Sequence, residues 1–155
     1  MKMRYIVIGV ILIVFIGVGL LMGLSKKEVE ISEIKSLYFT YTRGYAMNAY
    51  VVYDLNCDDN CILKYKPYGI DIEEAKKVKV SMDTIKKVKD ILLKYEVSKW
   101  DGFDKTDKNV LDGDSFSFSV LMKNGDSIHA SGYMKWPKNY GDVRTELDSL
   151  FESLF

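Results

Sequence analysis

Two cysteines, two prolines and a single histidine are all the chain holds of three residue types that often carry chemistry or break structure. A structural zinc site wants four nitrogen or sulfur ligands, so one His and two Cys fall short of it. Scarce proline together with 13% aromatic residues excludes a disordered chain and indicates a packed domain. An excess of either charge is also missing, since 22 basic residues face 22 acidic ones. Without a basic stripe the chain lacks what nucleic-acid binding requires, and nucleic acid is set aside as a partner. No serine lies in a Gly-x-Ser-x-Gly elbow, and no internal repeat or low-complexity segment occurs.

What is present begins with an apolar run. Tyr5 to Leu24 holds no charged residue in twenty positions. A helix rises about 1.5 Å per residue and needs about twenty apolar residues to cross the hydrocarbon core. The run is read as a transmembrane helix. A cleaved signal peptide is the competing reading, because Lys2 and Arg4 precede the run. A signal core holds only about 7 to about 15 residues. The run is longer than that, and Gly23-Leu24-Ser25 is a weak cleavage site. With no Cys there, a lipoprotein anchor is excluded.

The division that follows is a cytoplasmic N-terminus at 1–4, the membrane helix at 5–24, a linker at 25–33 and a soluble domain at 34–155. Lys2 and Arg4 lie before the span and Lys26 and Lys27 after it, so the positive-inside rule favours a domain outside the cell by a small margin. Gly19-x-x-x-Gly23 has the spacing that lets two membrane helices approach, which leaves a homodimer through the span open. Beyond the span, 20 basic residues (22 less Lys2 and Arg4) meet all 22 acidic ones, a formal charge of −2.

Ile34–Gly44 and Met47–Leu55 are rich in Tyr, Val, Phe and Thr and read as an antiparallel hairpin about Gly44. Ile62–Tyr65 is a third strand after the Asn56–Cys61 loop, and Val78–Val80 adds a short one. Ser81 is placed to cap a helix from about 82 to 95, whose apolar residues Met82, Ile85, Val88, Ile91, Leu92 and Tyr95 form one face. Trp100–Asp114 carries two Asp-Gly pairs and little periodicity, and reads as a loop. Phe116, Phe118, Val120 and Met122 alternate with serines before Asn124-Gly125, a strong hairpin signal, with a return strand from Ser127 to Met134. Asn139 can cap a last helix bearing Val143, Leu147, Leu150, Phe151 and Leu154. The expected fold is α+β, a mainly antiparallel sheet of five to six strands with two amphipathic helices on one face.

The last third of the chain carries Trp100-Asp-Gly-Phe, Leu111-Asp-Gly-Asp-Ser-Phe, Asn124-Gly-Asp-Ser-Ile with Gly132, and Trp136-Pro-Lys-Asn-Tyr140. This series resembles a small, uncharacterised domain of bacterial envelope and lipoprotein-like proteins. The resemblance implies an envelope setting and brings no activity with it.

Cys57 and Cys61 bracket a turn between two strands, where a bridge is geometrically feasible. Outside the cell an even pair suggests a structural disulfide, whereas a redox dithiol usually shows two intervening residues and a helix N-terminus. His129, the only histidine, sits mid-strand and could serve as a general base beside a loop carboxylate, or could simply be a strand residue. Ser115, Ser117 and Ser119 read as a polar sheet face. Asp101, Asp104, Asp107, Asp112 and Asp114 lack the twelve-residue calcium-loop spacing and are read as turn formers. No metal site and no cofactor is expected. Trp100, Tyr133, Trp136 and Tyr140 could form an aromatic platform for a sugar or peptide, or could be core.

The leading expectation is a membrane-anchored, non-catalytic module outside the cytoplasm that binds a partner protein or an envelope polymer. Its partners would also include the bilayer, through residues 5–24. A small hydrolase using His129 with a loop Asp, and a thiol redox protein using Cys57 and Cys61, are the alternatives.

Overall fold

The structure is a computed structural model that describes residues 29–42 and 49–155. The expected membrane helix over 5–24 and the hairpin turn at Gly44 lie outside those residues. Among the described residues no helix is long and apolar enough to cross a membrane.

The fold is α+β, with a mainly antiparallel seven-stranded sheet and two helices. The strands are β1 Ile34–Thr42, β2 Tyr50–Cys57, β3 Cys61–Lys66, β4 Lys76–Lys79, β5 Phe103–Thr106, β6 Ser115–Met122 and β7 Ser127–Tyr133. The helices are α1 Met82–Lys94 and α2 Tyr140–Glu152. Across the sheet the order is β4-β3-β2-β1-β6-β7-β5, so β1 is central and β4 and β5 are the edges.

Strand alternation decides which face is covered. Leu37, Phe39 and Tyr41 of β1 are buried with Tyr53 and Leu55 of β2, Leu63 of β3, and Phe116, Phe118 and Val120 of β6. Against them pack Ile85, Val88 and Leu92 of α1 and Val143, Leu147 and Phe151 of α2. The side chains between, from Ser36, Tyr38 and Thr40 to Ser117, Ser119, His129 and Ser131, point to the opposite, open face. A bulge between Ile34 and Ser36 breaks the alternation once, so that both Ile34 and Leu37 turn inward.

Ser81 caps α1, its hydroxyl accepting from the Thr84 N–H at 3.2 Å. Asn139 holds the cap position of α2 in a left-handed conformation (φ 64°) but makes no side-chain cap bond. Its amide instead donates to the Tyr95 carbonyl at 3.3 Å, tying the start of α2 to the end of α1.

The stretch expected as a loop from Trp100 to Asp114 contains β5, which pairs parallel with β7 and gives a seventh strand rather than five or six. Phe103 is its only apolar residue, and Asp104, Lys105 and Thr106 are exposed. A four-residue edge strand leaves no periodic trace. It is held by the ladder and by the Gly102 and Asp107 N–H groups, which donate to His129 and Tyr133 carbonyls.

Gly132, part of the resemblance motif, has a steric reason. A Cβ there would collide with the Lys135 carbonyl and lie 2.6 Å from the Phe116 ring, because the chain folds back at Met134 (φ 51°) over the covered face. Gly132→Ala is expected to cost about 2 kcal/mol or more, in the upper part of the overpacking range. At Gly141, in the first turn of α2, a Cβ meets open space. Gly141→Ala should leave stability within about 1 kcal/mol of the wild type, on the stabilising side. Chemical denaturation of the two variants checks both.

Candidate functional site

The open face is built of cross-strand rows. One runs Lys77, Lys64, Asp54, Tyr38, Ser119, His129, each residue the register partner of the next. The adjacent row includes Thr40, Ser117, Ser131 and Asp104. Where the two rows meet β5 lies a shallow dish of about 260 Å³ containing Ser117, Ser119, His129, Ser131 and Asp104.

Within it the Ser119 Oγ and His129 Nδ1 are 3.1 Å apart and share a hydrogen bond. The loop carboxylates are engaged differently. Asp101 Oδ1 accepts from the main-chain N–H of His129 at 3.2 Å, and Asp104 Oδ1 accepts from the Ser131 hydroxyl at 2.8 Å. Among the described residues no carboxylate lies within ion-pair distance of the imidazole ring. A serine beside a histidine is half of a nucleophile arrangement; the group that would orient the base is bonded to its backbone instead.

The four aromatic candidates do not gather on one surface. Trp100 is buried in the turn after α1, donating from Nε1 to the Lys138 carbonyl at 3.0 Å, and its ring packs against Phe116 and Phe118. Tyr140 is also buried, 4.7 Å ring to ring from Phe116. Tyr133 belongs to the open face beside Ser115, whereas the half-exposed Trp136 ring lies toward Tyr140. On the open face Tyr38 is an exposed aromatic among polar side chains, which sequence reasoning passed over as one more strand tyrosine.

Three of the aspartates from 101 to 114 tie their loop to β7 and the turn after it, Asp101 and Asp104 through the bonds above and Asp107 through Lys135. Asp107 accepts from the Asn109 N–H at 3.1 Å and meets Lys135 at 3.1 Å, and these contacts hold its carboxyl below the usual range. Among the described residues no group of three or more His, Cys, Asp or Glu side chains could hold a metal ion.

Cys57 and Cys61 are register partners closing the β2–β3 hairpin, with Cα atoms 4.0 Å apart and sulfurs at disulfide distance. They point to the covered side, where they form a wall of a cleft of about 340 Å³ between the hairpin tip and the first turns of α1. Ile34, Met82 and Ile85 supply apolar surface there. Asp58 and Asp59 stand on the hairpin side, Lys86 and Lys89 on the helix side. The motif Cys-Asp-Asp-Asn-Cys was the only sequence sign of this cleft.

A third polar cluster lies under α2. Asp148 Oδ2 accepts from the Tyr41 hydroxyl at 2.9 Å, with Arg144 Nε at 3.9 Å, and the Tyr65 hydroxyl donates to Glu152 at 3.1 Å. The Tyr53 hydroxyl also bears on Asp148, though without well-formed hydrogen-bond geometry. Burial pushes the Asp148 carboxyl above the usual range, outweighing the opposing pull of Tyr41, Tyr53 and Arg144, and Glu152 adds to the rise. Burial and Glu152 push the Tyr65 phenol to about 12.

No protein-family model matches the chain, and no curated protein matches it significantly. The fold and the clusters above therefore define it as a small α+β domain with one bare sheet face and a cysteine-walled cleft.

Because the folded state holds Asp148 above its unfolded pKa, it favours the protonated carboxyl. That stabilisation is complete below the unfolded value, about 3.9, and is lost as pH rises through the higher folded value. Asp148→Asn should accordingly unfold at a higher temperature than the wild type at pH 7. The gap should narrow as pH is lowered toward the unfolded value, about 3.9, because the wild-type carboxyl takes up its proton on the way. Thermal unfolding of both proteins between pH 4 and 8 checks this, and a gap that does not change with pH would contradict it.

Proposed function

We propose that the chain is a membrane-tethered, non-catalytic module that faces outward from the cell and binds a partner protein or an envelope component. The observation that carries this reading is the engagement of Asp101 by the His129 backbone, which leaves the Ser119–His129 pair without a carboxylate on the ring and in a shallow, open dish. A binding surface needs no such relay; an enzyme built on His129 would.

Three further features support it. The apolar run over 5–24 has the length of a membrane span, and Gly19-x-x-x-Gly23 allows a homodimer through it. The C-terminal third resembles a domain of envelope proteins. Cys57 is buried, which suits a structural bridge in an oxidising compartment better than an accessible redox thiol. The hydrolase alternative would need a carboxylate on the His129 ring, and the redox alternative an accessible thiol of lowered pKa.

The test is differential thiol labelling of intact cells with a membrane-impermeant reagent. The expected result is no labelling of Cys57 or Cys61 until an impermeant reductant is added, then labelling of both. Free labelling only after lysis would place the domain inside the cell and overturn the proposed orientation.

A further inference from the structure

The cleft beside the cysteine pair is lined by both apolar and charged side chains. Its apolar lining comes from Ile34 and Ile85, both almost fully covered, and from Met82, which is 68% exposed. Apolar floors with a few charged groups at the rim are the usual build of a small-ligand site. The cleft's volume of about 340 Å³ falls at the low end of their size range.

The rim charges are sorted by wall. Glu33 is 3.0 Å from Lys123 and held below the usual carboxylate range by it, with Lys89 adding a weaker pull from farther off. Asp58 is 3.6 Å from Lys35. Lys86 and Lys89 lie about one turn apart on α1 and have no carboxylate within ion-pair distance among the described residues. Neither ion pair nor hydrogen bond engages the Asp59 side chain among those residues. One wall thus presents two ammonium groups without a contacting carboxylate, and the other a carboxylate without a contacting cation.

We propose that this cleft binds a short zwitterionic peptide with an apolar side chain. The terminal carboxylate meets Lys86 and Lys89, the terminal ammonium meets Asp59, and the side chain lies on Met82, Ile34 and Ile85. A simple anion would leave Asp59 unmatched and a simple cation would leave the two lysines so; only a ligand carrying both charges and an apolar body answers the whole rim. The cysteine pair fixes the hairpin tip that bears Asp59, so the acidic wall depends on it. This inference goes beyond the tether reading and holds on either side of a membrane.

The experiment uses the full chain in detergent, with methyl signals of Ile34, Ile85 and Met82 as reporters, titrated with leucyl-alanine, its N-acetyl form and its C-terminal amide. Saturable shifts at those methyls are expected with the free dipeptide, and each capped form should bind about tenfold more weakly. In Lys86→Gln/Lys89→Gln the amide should no longer be at a disadvantage, and in Asp59→Asn the acetyl form should lose its disadvantage. All three variant positions are exposed or rim sites, so folding is checked by the unchanged core signals. Equal binding of all three peptides, or shifts away from the cleft, or none at all, would overturn the proposal. The thiol-labelling result is separate and can fail while this one stands.

Discussion

Among the described residues the sheet is covered on one face only, and the rest of the domain depends on that cover. Phe39, at the middle of the central strand, has no exposed surface and is ringed by Tyr41, Tyr53, Phe118 and Tyr140 at centroid separations of 5.4 to 6.4 Å. Aromatic side chains bury the most area per residue, and in a domain of little over a hundred residues they form most of the contact between sheet and helices. The same alternation that drives Phe39 inward sends Tyr38 and Thr40 outward. The bare face is the geometric complement of the core, and a one-residue slip in register would exchange the two.

What could be read beforehand followed that alternation. The β6 strand, the Asn124-Gly125 turn, Ser81 and both helical faces are local patterns, each specified by residues within about ten positions of one another. The β5 strand was not legible, because its one apolar side chain gives no period and its partner β7 is distant in sequence, Phe103 pairing with Ala130. The β1 bulge was hidden for a related reason: Ile34 and Leu37 are three apart, a helical rather than a strand spacing. The cleft was the least legible feature, since its walls come from the linker, the β2–β3 tip, α1 and Lys123, which only the fold brings together. Residue type left Trp100 and Tyr140 open between a binding platform and the core, and the packing puts both inside.

The two sheet edges bear on how copies of the chain could meet. β4 offers Lys76, Lys77 and Lys79, a run of charge that discourages any second β4. At β5 the constraint comes from symmetry. Antiparallel pairing of two copies about a two-fold axis normal to the sheet matches residues of the same face, and an axis through Asp104 or Lys105 would set two like charges opposite one another. Like charges opposed in a ladder are destabilising, so β4 and these two registers of β5 resist growth of the sheet. The proposed membrane span carries a spacing of its own suited to a homodimer, Gly19-x-x-x-Gly23.

That span would also orient the domain. Ser25 to Glu28 separate Leu24 from Val29. An extended chain covers at most about 3.6 Å per residue, so Val29 would stay within about 18 Å of the end of the span. Val29, Glu30 and Ile31 share a hollow with Leu93, Glu96 and Ser98, at the C-terminal end of α1. The cysteine-walled cleft opens at the other end of that helix, beside Met82 and Ile85. At a rise of about 1.5 Å per residue, the length of α1 sets the two ends about 20 Å apart. The segment from Val29 to Glu33 thus runs along α1 from its C-terminal end to the cleft before β1 turns back. A tether attached there would restrain one end of the helix layer and leave the cleft at the other, the arrangement the proposed binding module would need if its ligand is to reach it from outside the headgroup layer.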